Sequence, residues 1–450
     1  MVEGKNRNSE ADNPKNIFKE FICAYKDSNI EKHFIKLFDK IGTDIITEDD
    51  NEEQLLNNLE LRINSFFQEI LKLNTVSFLF GTGASIPLGA VSIYKIPQSI
   101  CLKIQENDLS DICKTLVNSY SDKECNKKAG CEINLEKFLG DLIRLNDIVN
   151  NFGKAFKLKE LPLEDIDRLI NTIKKELYDS CLIPKIDNIK NETIKKNPLK
   201  IHKEFLKKIL ARPLNLKRIN LFTTNYDLAF EKAMDDLGII YIDGFVGNTK
   251  RIFKPEAYNY DYYFPASTTE GSVHRLDKVI HLYKLHGSLN WIECITDSKN
   301  IFGIEQKSND IDYDKSVLIY PQPMKEEETL GFPYSEMFRR FATIIQQPQN
   351  VLIAYGYGFG DEHINRIIFN ALSISTFHLV VISHDWTSKI KDFYEKVKDD
   401  SRISFLIGEY LGDWGNFVFN LLPDIKQLEL EEKILKTVRK LKGEDEEGNK

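Results

Sequence analysis

The sequence predicts an α/β protein built on a doubly wound parallel sheet with a helical inserted subdomain. Three observations carry that expectation. Short, uniformly apolar runs recur along the chain, helical patterns separate several of them, and the unusual polar residues gather where the runs stop. Runs apolar on both faces are the sequence form of strands buried between two helical layers. The first is Val76–Phe80, which stops at Gly81. It is followed by Ile219–Asn225, Val279–Leu285, Val351–Tyr355 and His378–Ser383, with Ile403–Ile407 as a sixth. Helical periodicity at 227–237 and 362–374 gives the alternation of strand and helix that parallel sheets require. Such sheets bind ligands beyond the carboxyl ends of their strands.

The segments between the runs divide the chain. Residues 1–15 read as a disordered leader and 16–72 as a helical segment, with a 3.6-residue stripe through Leu55, Leu56, Leu59, Leu61, Ile63, Phe66, Phe67 and Ile70. The main domain spans 73–425. Its first and second strands are separated by 91–215, too long for a simple crossover and read as the helical insertion. Residues 245–278 and 292–318, rich in Tyr, Asn and Asp, are expected to be loops with short hairpins. Residues 426–450 read as an amphipathic helix (427–442) with a polar tail.

Composition narrows the function. With 42% hydrophobic residues and 28 Phe, a chain of 450 residues can bury a large core. Its 61 basic and 69 acidic residues leave a net charge of −8, which opposes broad affinity for nucleic acid. The lysine-rich stretch 184–208 reads as a solvated helix face. The seven cysteines (Cys23, Cys101, Cys113, Cys125, Cys131, Cys181 and Cys294) form no Cys-x-x-Cys pair and read as reduced thiols. No apolar leader and no bilayer-length apolar stretch is present, so a cytoplasmic protein without membrane contact is expected.

Four motifs close the strands. Gly81-Thr-Gly-Ala-Ser85 lets backbone N–H groups approach a phosphate, or serves as a plain strand-to-helix turn. No Gly-Lys-Ser/Thr follows it, which argues against ATP hydrolysis. Thr223-Thr-Asn-Tyr-Asp227 ends the next run. Asp227 can cap the following helix, but a buried Asn225 amide needs a partner or a ligand. Leu285-His-Gly-Ser288 places His286 at a strand end with the titration range of a general base, whereas His281 lies mid-run and reads as a core histidine. Gly356-Tyr-Gly-Phe-Gly-Asp361-Glu-His-Ile-Asn365 is a second glycine loop, with Asp361 placed to cap the next helix and His363 read as structural.

The order of these motifs, with Pro87-Leu-Gly89 after the first and Asn134-Leu-Glu-Lys-Phe-Leu139 in the insert, resembles the sirtuin family. It is most similar to the sirtuin-like domains of bacterial antiphage defence systems. The resemblance runs from about 75 to 420 and implies a Rossmann-like fold with NAD⁺ as substrate. It implies that Asn225 and His286 are catalytic. It places Gly81, Gly83, Ala84 and Ser85 along the pyrophosphate and ribose, and counts Thr223, at the end of the next strand, among the residues that bind the dinucleotide. Asp227 is placed at the nicotinamide or its ribose, and Gly356, Gly358 and Phe359 toward the adenosine. Two departures stand out. Only Cys294 lies beyond His286, where the family's deacylases carry a four-cysteine zinc module, so no zinc or other metal is expected. Their Pro-Asp-Phe-Arg segment is also absent, with Tyr94-Lys-Ile-Pro97 in its region. The resemblance therefore favours NAD⁺ hydrolysis to nicotinamide and ADP-ribose, an antiviral effector acting by NAD⁺ depletion and abortive infection. Alternatives are a noncatalytic NAD or ADP-ribose sensor, and a sirtuin-type deacylase or ADP-ribosyltransferase. After the sheet, near 420, about 30 residues remain, too few for a sensing domain. Control by assembly is expected instead, as a homo-oligomer with a HerA-type hexameric ATPase, through 16–72 and 91–215. Nucleic acid would be met only through that partner.

Overall fold

A computed structural model of the chain describes residues 21–23, 52–90, 135–152, 163–189, 191–264, 274–296, 298–307, 316–318 and 333–424. The leader, most of the N-terminal segment, the first part of the insertion, Cys101, Cys113, Cys125, Cys131 and the C-terminal 427–442 pattern lie outside the described residues.

The parallel sheet is present. All six apolar runs are strands: β2 (Thr75–Phe80), β3 (Asn220–Thr223), β7 (Val279–Lys284), β11 (Asn350–Tyr355), β12 (Phe377–Ser383) and β13 (Ile403–Ile407). A short strand β4 (Ile240–Ile242) lies parallel to β7 at one edge, and β1 (Phe21–Cys23) pairs antiparallel with β13 at the other. The order is β1-β13-β12-β11-β2-β3-β7-β4, so seven of the eight strands run parallel. The two unforeseen strands have three residues each, too few to impose a pattern. β1 falls where the periodicity predicts helix.

Alternate strand residues enter opposite cores. Val76, Phe78, Phe80, Val351, Ile353 and Tyr355 join one cluster, while Leu79, Leu352 and Ala354 join the other. The first face is covered by α1 (Glu52–Leu71), α5 (Lys200–Ile209) and α6 (Ala229–Leu237), the second by α7 (Tyr334–Ile345), α8 (Glu362–Ala371) and α9 (Ser388–Val397). Burial on both sides explains the unbroken apolar runs. In the insertion, the long helices α2 (Leu135–Phe152) and α3 (Leu163–Cys181) pack together and the short α4 (Glu192–Lys196) leads into α5.

The segment expected as loops is more ordered than its composition suggests. β5 (Phe245–Val246), β6 (Arg251–Phe253), β8 (Gly287–Glu293), β9 (Ile304–Gln306) and β10 (Ser316–Leu318) form a second, antiparallel sheet in the order β10-β8-β9-β6-β5. Trp291 anchors it, with ring centroids 5.1 Å from Phe245 and 6.3 Å from Phe253. Only Leu285 and His286 separate β7 from β8, and Gly287 turns the chain with φ +87. His286 thus sits at the joint between the two sheets.

One buried histidine gives the fold an acid limit. His202 of α5 is 1% exposed, with its ring 5.1 Å from Phe230 and 5.6 Å from Trp414. Burial lowers its pKa from 6.5 to about 4, with the Asp227 charge and the Ala84 backbone offsetting part of the effect. The folded state therefore binds this proton less tightly than the unfolded chain does. Its contribution to stability is complete above pH 6.5 and declines as pH falls through about 4. The loss at pH 4 is roughly 3 kcal/mol. His202→Phe is expected to flatten the pH dependence of urea unfolding by that amount between pH 7 and 4, and an unaltered curve would refute it.

Candidate active site

Chain order along the sheet fixes where the site forms. From central β2 the chain proceeds to β3 and β7 on one side, and later to β11, β12 and β13 on the other. The switch point is the boundary between β2 and β11, the place where doubly wound sheets commonly bind their ligands. Both glycine loops leave the sheet there, and their backbones touch. The Gly81 N–H donates to the Tyr355 carbonyl at 3.1 Å, and the Gly83 N–H to the Gly356 carbonyl at 3.3 Å. A Cβ at Gly81 would lie 2.4 Å from Gly356 O, and one at Gly83 would lie 2.6 Å from Gly356 Cα. Gly356 itself has φ +58 and would place a Cβ 2.5 Å from Gly83 Cα. Glycine is required here because two main chains occupy one space.

The first loop is also folded onto its own backbone. It forms two successive 3-10 turns, Thr82–Ala84 and Ile86–Leu88. The Ala84 N–H donates to the Gly81 carbonyl at 3.2 Å and the Ser85 N–H to the Thr82 carbonyl at 2.9 Å. The amides of Gly81, Gly83, Ala84 and Ser85 are therefore satisfied within the loops. Above the second loop there is room: Gly358 and Gly360 are exposed, and a Cβ at either meets nothing within 4 Å.

At the end of β3 the polar residues form one directed network. The Thr223 hydroxyl donates to the Phe80 carbonyl at 3.2 Å and accepts the Asn225 N–H at 3.0 Å, turning the chain out of the strand. Asn225 Nδ2 donates to the Gly81 carbonyl at 2.9 Å and to Ser85 Oγ at 3.0 Å. Ser85 Oγ donates to Asp227 Oδ2 at 2.6 Å, and Asp227 Oδ1 accepts the Ala229 N–H at 3.0 Å at the start of α6. The N-cap position of α6 itself is Leu228, so Asp227 stands one residue before the expected cap and takes only the first helical N–H. With both donors of Asn225 turned inward, its Oδ1 has no protein donor among the described residues. Beneath the network, Lys284 Nζ donates to the Asp227 carbonyl and pairs with Glu231 Oε1 at 3.0 Å, both side chains buried. Burial raises the Glu231 pKa, and the Lys284 charge opposes that rise.

His286 stands beside this network. Thr223 and Lys284 are register partners on adjacent parallel strands, and Asn225 and His286 each lie two residues beyond them. His286 is 6% exposed, with ring centroids 6.5 Å from Tyr226 and 6.3 Å from Phe338. Its Nε2 lies 3.1 Å from Asp361 Oδ2, while Asp361 Oδ1 accepts the N–H groups of His363 at 3.1 Å and Ile364 at 3.2 Å. Asp361 is the N-cap of α8, as its position predicted.

The structure thus joins Gly81, Gly83, Ala84, Ser85, Thr223, Asn225, Asp227 and Gly356 in one connected cluster, with His286 just beyond the end of the neighbouring strand β7. Phe359 is placed differently: its ring is 3% exposed, 4.3 Å from Phe393 and 4.9 Å from Tyr357. Its ring belongs to the core packed against α9. His363 packs edge-on against Phe338 at 4.6 Å, a packing role. His281 is displaced from its ordinary range to about 4, chiefly by burial, as suits a core position. Two features went unread in the sequence. Lys284 interrupts an apolar strand, a signal that a buried partner exists, and the Asp361–His286 contact spans 75 residues with no local signature. Among the described residues no group of three or more His, Cys, Asp or Glu could hold a metal ion, and no helix is long and apolar enough to cross a membrane.

Residues 219–404 match the SIR2-like domain family. The match takes in Asn225, His286 and the second glycine loop, and it begins after Gly81–Ser85. Among solved structures, a SIR2 homolog–NAD complex aligns with a TM-score of 0.37 and 13% identity, over 81% of this chain and 94% of the other. A Sir2 variant with deacetylated p53 peptide and 3'-O-acetyl ADP-ribose aligns with a TM-score of 0.34 and 11% identity, over 80% and 96%. No curated protein matches the sequence.

Proposed function

We propose that this protein hydrolyses NAD⁺ to nicotinamide and ADP-ribose, with Asn225 and His286 as the catalytic residues. The observation that carries the reading is that each of these residues lies two positions beyond a register pair, Thr223 and Lys284, closing adjacent parallel strands, with Asn225 bonded to the first glycine loop. The SIR2-like match supports NAD⁺ as the substrate class.

The residues present fit a dinucleotide through an anchored amide, a buried imidazole and the open surface over Gly358 and Gly360. The backbone acceptors already held by the Gly81, Gly83, Ala84 and Ser85 amides favour recognition by side chains and by the second loop. Leaving of nicotinamide puts positive charge on the ribose anomeric carbon, and a nucleophile must then be admitted. Asn225, held through Nδ2, offers Oδ1 to orient the ribose or the attacking water. His286 takes the proton from that water or from a ribose hydroxyl.

On this reading the protein depletes NAD⁺ as a cytoplasmic antiphage effector. An unrestrained hydrolase would starve its own cell, which argues for control by assembly, as a homo-oligomer with a HerA-type ATPase. The deacylase or ADP-ribosyltransferase reading rests on the same domain match, and product identity separates the two. Incubate the purified chain with NAD⁺, alone and with a HerA-type partner, with and without an acetyl-lysine peptide. Free ADP-ribose is the expected product. Acetyl-ADP-ribose, formed only with the peptide, would replace the hydrolase reading, and bound but intact NAD⁺ in every condition would replace it with a sensor.

A further inference from the structure

We infer that Asp361 is the positioning residue of His286, setting the tautomer of its ring and tying it to the second glycine loop. The inference rests on the proposal that His286 moves a proton during nicotinamide release.

Capping alone does not account for this carboxylate. A helix N-cap needs one side-chain oxygen, and Oδ1 fills that role with the N–H groups of His363 and Ile364. Oδ2 is turned the other way, onto His286 Nε2 at 3.1 Å, and the two residues are 7% and 6% exposed. The backbone on both sides is fixed as well. Tyr357 OH donates to the Asp361 carbonyl and to Asn365 Oδ1, each at 3.2 Å, while Asn365 Nδ2 donates to the Phe359 carbonyl at 2.9 Å. The carboxylate is therefore held by its own loop and can hold the imidazole in turn.

The chemistry follows from what each group can do. A carboxylate only accepts, so a neutral imidazole against it carries its proton on Nε2 and its lone pair on Nδ1. Nδ1 is then the atom that takes up a proton, and Asp361 faces the imidazolium that results. Movement of the second glycine loop would carry Asp361 with it and reorient the ring. This couples the loop where the dinucleotide would lie to the proton acceptor.

Asp361→Asn separates capping from positioning. The asparagine oxygen can still cap α8, which turns its NH₂ toward Nε2 and forces the ring proton onto Nδ1. The expected result is a fall in kcat of roughly 10²–10⁴-fold, with KM for NAD⁺ within a few-fold and an unfolding midpoint close to wild type. Selective ¹⁵N-histidine labelling, with His286→Ala to assign the signal, should show the Nε2–H form in wild type and a shift toward Nδ1–H in the variant. Should Asp361→Asn fail to fold, Asp361→Ser keeps a capping oxygen and removes the bond to the ring, with loss of the Nε2–H signature expected. An unmoved tautomer signal, or wild-type kcat, in a folded variant overturns the inference. If wild-type protein releases no nicotinamide, the hydrolase reading fails, and the tautomer signal still decides whether Asp361 positions the ring.

Discussion

Replacing Asn225 or His286 with alanine is expected to lower nicotinamide release about 10²–10⁴-fold, the range in which a positioned proton-transfer group contributes. The two variants should differ in their side effects. Asn225→Ala removes two donor bonds, to Gly81 and Ser85, and leaves the Gly81 carbonyl without that partner. A stability loss of about 1–2 kcal/mol is therefore expected with it. His286→Ala leaves Asp361 with its capping bonds and without its imidazole partner, so the helix start should survive. Release must be measured on protein whose folded fraction has been verified by unfolding at the assay temperature. A turnover loss no larger than the loss of folded protein would make Asn225 a scaffold residue. Wild-type release from folded samples of both variants would end the assignment of Asn225 and His286 as the catalytic residues.

Where the sequence could be read, the physics was local. Six runs buried on both faces, each stopped by glycine or a polar residue, identify the central strands and place the interesting side chains at their ends. Asn225 could be singled out because a buried amide must be satisfied. That it would be satisfied by the Gly81 carbonyl and by Ser85, 140 residues away, depends on strand order, which no periodicity encodes. Gly81 and Gly83 read either as an approach to phosphate or as a plain turn, and Gly356 as part of a second loop; that the three make room for one another's backbone depends on strand order, which the motifs do not encode. Phe359 sits between two glycines and so reads as a loop residue, yet its ring reaches Phe393 of α9 and belongs to the core. Of the antiparallel sheet only short hairpins were legible, since β5, β6, β9 and β10 have two or three residues each and β10 joins β8 from more than twenty residues away. The Asp361–His286 contact was hidden for a related reason: Asp361 already had a sufficient local role as a cap.

The second large effect concerns the floor of the site. Lys284 is buried on a central strand, paired with the equally buried Glu231 and bonded to the Asp227 carbonyl. Removing one member of such a pair leaves an uncompensated charge, and Lys284→Met is expected to cost roughly 3–5 kcal/mol in chemical unfolding. The pH dependence of that deficit has a definite sign. Burial already raises the Glu231 pKa and Lys284 opposes the rise, so without the lysine the folded state binds that proton more tightly still. Stability of the variant should therefore be higher in acid and fall as pH rises toward neutrality. Adding Glu231→Leu removes the stranded carboxylate and is expected to recover most of the loss, since well-packed apolar replacements of buried pairs are often neutral or better. Recovery of the fold should not bring full recovery of turnover. The Asp227 carbonyl still lacks its lysine, and Asp227 is the end of the chain that runs through Ser85 to Asn225. A single variant that loses less than about 1 kcal/mol would show that the pair is solvated. A double variant with wild-type nicotinamide release would show that Lys284 serves stability alone and that the Asn225 network needs no support from below.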